Sequence, residues 1–177
     1  MNLGWKLAAQ VRGRSPAGLL DTYQSERRPV GLRVIMHTQA QGMLVGPGPR
    51  VTALRTLFGE MLEDTSTLRR IAGLIAGADL AYDGVGGWAP DVTLHDGTRL
   101  AELTRTGRPL LLHRPGDGLD EVAAGWRDRV DAVAAPGAGP AMLLRPDCYV
   151  AWREGEPAAA LRTALTRWFS APATATA

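Results

Sequence analysis

The run Pro109-Leu110-Leu111-Leu112-His113 constrains the fold more than any other segment. In an extended segment, successive side chains point to opposite faces, so an unbroken apolar run puts apolar groups on both. Such a strand has to be covered above and below, which is the situation of a strand inside a layered α/β sheet. The segments around it supply the layers. Asp91-Val92-Thr93-Leu94 reads as a strand that ends at the turn His95-Asp96-Gly97, and Leu100 to Leu103 as one helical turn. Asp120 to Trp126 reads as a weak helix and Val130 to Ala134 as another strand. Ala141-Met142-Leu143-Leu144 and Tyr149-Val150-Ala151-Trp152 flank Arg145-Pro146-Asp147-Cys148 as a hairpin. Pro157 to Phe169 closes the series as a helix, with Leu161, Leu165, Trp168 and Phe169 on one face.

The first ~75 residues follow a helical period instead. Leu3, Leu7 and Val11 make one stripe, which Arg12-Gly13-Arg14 ends. Ser15 as N-cap and Pro16 at the first helical position then predict a second helix. Leu19, Leu20, Tyr23, Val30, Val34 and Ile35 continue an apolar face in it, and Pro29 is expected to kink it or to start a new helix. Gly46-Pro47-Gly48-Pro49 is a stop. A third helix follows with Val51, Leu54, Leu57, Phe58, Met61 and Leu62, and a short fourth one with Leu68, Ile71, Leu74 and Ile75, capped by Asp64 or by Thr65 and Ser66. This divides the chain into a helical segment 1–76, a Gly-rich linker 77–90, an α/β domain 91–170 and a disordered tail 171–177.

Composition excludes several functions. A net charge of +2 with acids and bases interspersed leaves no nucleic-acid footprint. No apolar run approaches the ~20 residues that span a bilayer. The single cysteine, Cys148, can form neither an internal disulfide nor a C-x-x-C site, which points to the cytoplasm and away from thiol redox chemistry. His37, His95 and His113 stand far apart, with no acid or cysteine read at ligand spacing, so no metal site is expected. No G-x-S-x-G elbow supports a hydrolase. Gly84-Val85-Gly86-Gly87 resembles a dinucleotide loop only superficially, because no strand precedes it and Pro90 blocks a following helix. Trp88, Trp126, Trp152 and Trp168 are expected in core or interdomain positions, and Arg114 and Asp117 as loop polar residues.

Three segments carry a resemblance. Arg145-Pro146-Asp147-Cys148-Tyr149-Val150-Ala151-Trp152-Arg153 resembles an R-P-D-G-x-x-A-W-R segment near the C-terminus of the class A FAD-dependent aromatic hydroxylases. Asn2-Leu3-Gly4-Trp5-Lys6-Leu7 resembles the helix that follows their flavin-binding loop. Leu20, Tyr23, Glu26, Arg27, Arg28 and Pro29 match their L-x-x-Y-x-x-E-R-R-P helix. The chain is thus similar to the C-terminal portion of such an enzyme, on the branch that acts on phenolic or polyketide substrates. The resemblance implies a thioredoxin-like C-terminal domain without redox cysteines; periodicity alone supports only α/β. It implies FAD, NAD(P)H and O2 in hydroxylation of an aromatic small molecule. It brings Asn2 near the flavin, names no catalytic residue within the chain, and implies an inactive chain when it stands alone, because the G-x-G-x-x-G unit is not in it. Without an upstream domain Trp5 would be exposed. Cys148 replaces the family's Gly, which implies a turn position of positive φ. The reading from a different class is a stand-alone non-catalytic interaction module that dimerises through its helical face.

Overall fold

The computed structural model describes residues 1–82, 84–137 and 139–173. They form two compact units, Met1–Tyr23 with Ala81–Ala177, and Gln24–Leu80. This division differs from the one expected at 77–90: the first helix groups with the C-terminal half, and the break falls inside a helix, after Tyr23. Sequence-local signals mark where an element ends and are blind to which distant element it packs on.

The sheet unit is built around four strands: β1 (Leu110–His113), β2 (Asp131–Ala134), β3 (Met142–Leu144) and β4 (Val150–Arg153). Their order is β2-β1-β3-β4. β1 is parallel to β2 and antiparallel to β3, and β3 is antiparallel to β4. β1 is buried at every position, as the apolar run predicts, whereas β2 alternates between half-buried and exposed as an edge strand does. Leu111, Leu143 and Trp152 align across the sheet on one face. Leu110, Leu112, Met142, Leu144 and Val150 form the core with Leu94 and Leu100. The flanking helices are α1 (Asn2–Val11), α5 (Leu100–Leu103), α6 (Leu119–Val122) and α7 (Ala158–Phe169). α7 packs on β4 through a face that includes Leu161 and Leu165, both fully buried.

Two expectations are corrected in this unit. Asp91–Leu94 is not a strand; it contributes a single bridge, Thr93 to Arg99, around the turn at Gly97. The 77–90 segment is not a free linker over its second half. The Gly86 N–H donates to the Val150 carbonyl, Val150 N–H to Gly87 and Ala89 N–H to Cys148, so this stretch covers the open edge of β4. Glycine is needed there for space: a Cβ on Gly84 would run into the Arg167 guanidinium, and one on Gly86 would press on the Val150 backbone. At the other end Ala173 N–H donates to Gly125, while residues 174–177 of the expected disordered tail lie outside the described residues.

The helical unit holds the greater part of α2 (Asp21–Val45), α3 (Pro49–Leu62) and α4 (Thr65–Ala76). α2 starts at Asp21 rather than at Pro16, because Pro16 to Leu20 close as hydrogen-bonded turns, Pro16 to Leu19 and Gly18 to Asp21. Pro29 does not interrupt α2, although it removes one helical donor. α4 is capped at both ends, by the Asp64 carboxylate accepting from Thr67 N–H and by Gly77 in the left-handed region. Arg33 and Asp79 form a two-pronged ion pair at 2.7 and 2.9 Å.

Candidate functional site

The hairpin turn that carries the R-P-D motif is the most concentrated polar structure in the sheet unit. Arg145 donates to the Tyr149 carbonyl and accepts from Cys148 N–H, closing a tight turn with Pro146 at its second position. Cys148 then takes φ +64°, the conformation glycine would adopt without cost. The turn aims the Arg145 and Asp147 side chains inward, where both are buried. Arg145 Nε and a terminal nitrogen donate to the two Asp147 oxygens at 3.0 and 2.7 Å. The guanidinium also lies over four rings, Trp168 at 4.5 Å, Trp5 at 5.3 Å, Tyr82 at 5.6 Å and Tyr149 at 5.8 Å. Rings of this kind offer a desolvated cation the negative faces of their π-systems. Removing one member of such a buried pair costs about 3–5 kcal/mol, since the other charge is left without compensation.

Asp147 is also where α1 meets the hairpin turn. The Asn2 carboxamide nitrogen donates to Asp147 Oδ2 at 3.0 Å across 145 positions of sequence. One turn further along α1, Trp5 packs edge-on against Trp168 and Phe169, each at 6.4 Å between ring centres. Trp5 is therefore half-buried, which corrects its expected exposure; the rings of α7 cover it. The expectation for Trp88 is also corrected: it is 62% exposed, anchored by its indole N–H on the Asp147 carbonyl. Trp126, Trp152 and Trp168 are buried as expected.

α1 begins at Asn2 with no side chain capping its first turn. The N–H groups of that turn carry the positive end of the helix dipole, and a Cβ built on Gly4 would meet nothing within 4 Å. The helix thus presents an open, positively polarised end that the buried Arg145–Asp147 pair fixes through Asn2. The sequence shows the motifs at both ends but gives Arg145 and Asp147 no role. The signal that could have found them is their charge, set between strands whose neighbours are all apolar.

The remaining candidates have local duties. His113, Asp117 and Asp120 come within 4.8 Å of one another, an acid–histidine grouping that the histidine spacing did not reveal. Asp117 accepts from the backbone N–H groups of Arg114 and Leu119 and lies 3.2 Å from His113 Nδ1. Burial alone would raise its pKa; the N–H groups of Leu119 and Arg114 and the His113 ring outweigh it and hold the carboxyl below its usual range. Its lone pairs are thereby committed to shaping the loop after β1. The Arg114 guanidinium pairs with Glu154. His37 lines an apolar cavity of about 350 Å³ between α2, α3 and α4, with Gln41 as its polar neighbour there. No helix among the described residues is long and apolar enough to cross a membrane.

Known proteins resemble this chain in sequence and in fold. Residues 83–172 match the family model described as aromatic-ring hydroxylase, C-terminal, and residues 1–38 match one described as FAD binding domain. The chain belongs to the aromatic-ring hydroxylase family, in its C-terminal portion. A 12-dehydrotetracycline 5-monooxygenase/anhydrotetracycline 6-monooxygenase of Streptomyces rimosus is 41% identical over 98% of this chain and 39% of its own length. A rifampicin monooxygenase of Rhodococcus hoagii is 40% identical over 95% of this chain and 36% of its own. The solved structure of OxyS, an anhydrotetracycline hydroxylase from Streptomyces rimosus, superposes with a TM-score of 0.87 at 40% identity, covering 97% of this chain and 40% of that one. The chain therefore spans about two fifths of the length of these relatives.

Proposed function

We propose that the chain serves as the C-terminal portion of an FAD-dependent monooxygenase that hydroxylates an aromatic, phenolic or polyketide small molecule at the expense of NAD(P)H and O2. The observation that carries this reading is the Asn2–Asp147 hydrogen bond. It joins the two segments that the flavin-domain and hydroxylase family models match. The named activities of the Streptomyces and Rhodococcus relatives support the substrate class. The strand order β2-β1-β3-β4, with β3 antiparallel to both neighbours and α7 on the sheet, supports a thioredoxin-like fold for the sheet domain, in which Cys148 sits in the hairpin turn rather than after β1.

The residues present fit one part of FAD. The uncapped N-terminus of α1 and the open face at Gly4 suit the electron-rich edge of a flavin ring, with Asn2 beside it. They do not include the family's usual holder of the FAD pyrophosphate, since the sequence has no G-x-G-x-x-G turn between a strand and a helix. When bound, the flavin supplies the oxygen chemistry. The chain's own contribution is to hold the positive end of α1 at a fixed place and to keep its first turn free of competing caps.

Two measurements test this reading. Titration of FMN, which carries the flavin without the ADP half of FAD, against the purified chain, followed by flavin fluorescence, is expected to show no saturable quenching. Micromolar affinity would refute the claim that the chain lacks a sufficient site. The chain is then fused behind the N-terminal three fifths of the Streptomyces rimosus relative. That chimera is expected to retain FAD and to oxidise NADPH in the presence of that relative's substrate. A folded, FAD-loaded chimera with no such oxidation would sink the assignment.

A further inference from the structure

We propose that the cleft between α1 and the turn leading into β1 is a binding site for the phosphate of a nucleotide. Its volume is about 100 Å³, and Trp5, Ala8, Arg12, Arg14, Arg108 and Arg129 are among the residues that line it. Four arginines thus line one small opening. Among the described residues two carboxylates are paired with them. Asp128 lies 3.7 Å from Arg14 and 3.2 Å from Arg129, and Asp131 lies 2.8 Å from Arg108. Arg14 and Arg108 both donate to the Asp128 carbonyl as well, each at 3.4 Å, which holds the three groups around one point. The cleft therefore keeps an excess of about two positive charges.

Two of these side chains have donors to spare. Among the described residues, no hydrogen bond or ion pair reaches the Arg12 guanidinium, and Arg129 Nε is buried with no partner. Arg12 is not needed as a helix cap either. The last carbonyls of α1, on Ala8, Ala9 and Gln10, already accept from the backbone N–H groups of Arg12, Arg14 and Gly13. A buried donor that finds no acceptor within the fold is a group that a ligand oxygen would satisfy. The planar fork of arginine matches two oxygens of a phosphoryl group at once. Apolar residues line the cleft as well: Trp5, Ala8, Pro109 and Phe169 offer a surface for a flat ring beside the anion. Phosphate next to a ring is the chemistry of a nucleotide. This inference rests on the cleft alone and would stand if the flavin reading fell.

The test is isothermal titration of the full chain at fixed ionic strength with ADP, inorganic phosphate and adenosine. ADP is expected to bind saturably with Kd below about 1 mM, phosphate more weakly, and adenosine at least about tenfold more weakly than ADP. Arg12→Gln together with Arg108→Gln is expected to weaken ADP by about tenfold or more and to leave adenosine unchanged. Arg108 also holds Asp131, so Arg12→Gln alone is the control for folding, because it breaks no contact; it is expected to weaken ADP severalfold with an unchanged melting temperature. ADP affinity untouched by Arg12→Gln, equal binding of adenosine and ADP, or no saturable heat with ADP would each overturn the proposal.

Discussion

The two units handle their apolar residues differently. In the sheet unit Leu111, Leu143, Leu144, Leu161 and Leu165 are all fully buried. Each fully buried leucine contributes about 1.5–3 kcal/mol relative to exposure. In the helical unit α3 and α4 bury no residue fully, and Leu57, Met61 and Ile75 are more than half exposed. Along α2, Leu32, Val34, Ile35 and Met36 are exposed within five positions, so they face several directions around the helix axis. A helical period shows that an apolar stripe exists, and says nothing of what covers it. The sheet unit closes on itself because a strand apolar on both faces finds α7 and the 89–103 stretch within its own chain. The three helices enclose an apolar cavity among His37, Phe58, Leu74 and their neighbours.

The sharpest way to break this comparison is a matched pair of leucine truncations. Leu143→Ala empties a position with no solvent exposure, between Leu111 and Trp152, and is expected to destabilise the sheet unit by about 3–5 kcal/mol. Leu57→Ala removes a side chain that is 55% exposed and is expected to cost less than about 1 kcal/mol. Urea unfolding of both variants against the parent chain measures the difference. Equal losses would mean that α3 is as well packed as β3 and that the contrast is not real.

The parts of this architecture legible in the sequence are those with local causes. The buried β1, the hairpin around Pro146, the closing helix and the Asp64 cap all follow from period, turn chemistry or capping within a few residues. The parts that were not legible are relations between distant residues. Nothing near Asn2 says that its amide meets Asp147, and nothing near Gly86 says that it pairs with the edge of β4. Arg12 and Arg14 stand far from Arg108 and Arg129 in the sequence; only the fold brings them to one cleft. Asp91–Leu94 reads as a strand because its residues alternate, but a turn-flanking segment alternates too, and among the described residues its one bridge is Thr93 to Arg99.

A smaller effect probes the joint between motif and fold in the sheet unit. Cys148 holds φ +64° in the turn that aims Arg145 and Asp147 inward. A residue with a Cβ is destabilised there by about 1–2 kcal/mol relative to glycine, which also loses more backbone entropy on folding. Cys148→Gly is therefore expected to stabilise the sheet unit by about 1 kcal/mol, and thermal unfolding would read this as a rise of a few degrees. Cys148→Val, β-branched at the same φ, is expected to move the other way. A stabilising valine would show that strain at this turn is not what the cysteine contributes.

The smallest effect belongs to the helical unit, where capping rather than burial organises α4. The Asp64 carboxylate accepts from the Ser66 hydroxyl and from the Thr67 N–H, at the positive end of the helix. The Ser66 hydroxyl and then the Thr67 backbone lower its pKa from 3.8 to about 2. Because the folded value is depressed, the cap's contribution is fully present above the unfolded-state value near 3.8 and is lost as pH falls through about 2. The group is fully exposed, so added salt is expected to weaken the effect. A carbon-detected NMR titration of the Asp64 carboxyl is expected to give a midpoint near 2, and α4 is expected to fray over the same range. In Asp64→Ala, fraying should be present at neutral pH and should lose its dependence on acid. In the sheet unit α7, which starts at Ala158 with no side-chain cap and no acid in its first turn, is expected to keep its helicity through the same window. If α7 and α4 frayed together, the two units would be sharing one acid transition, and the difference in how each is held would vanish.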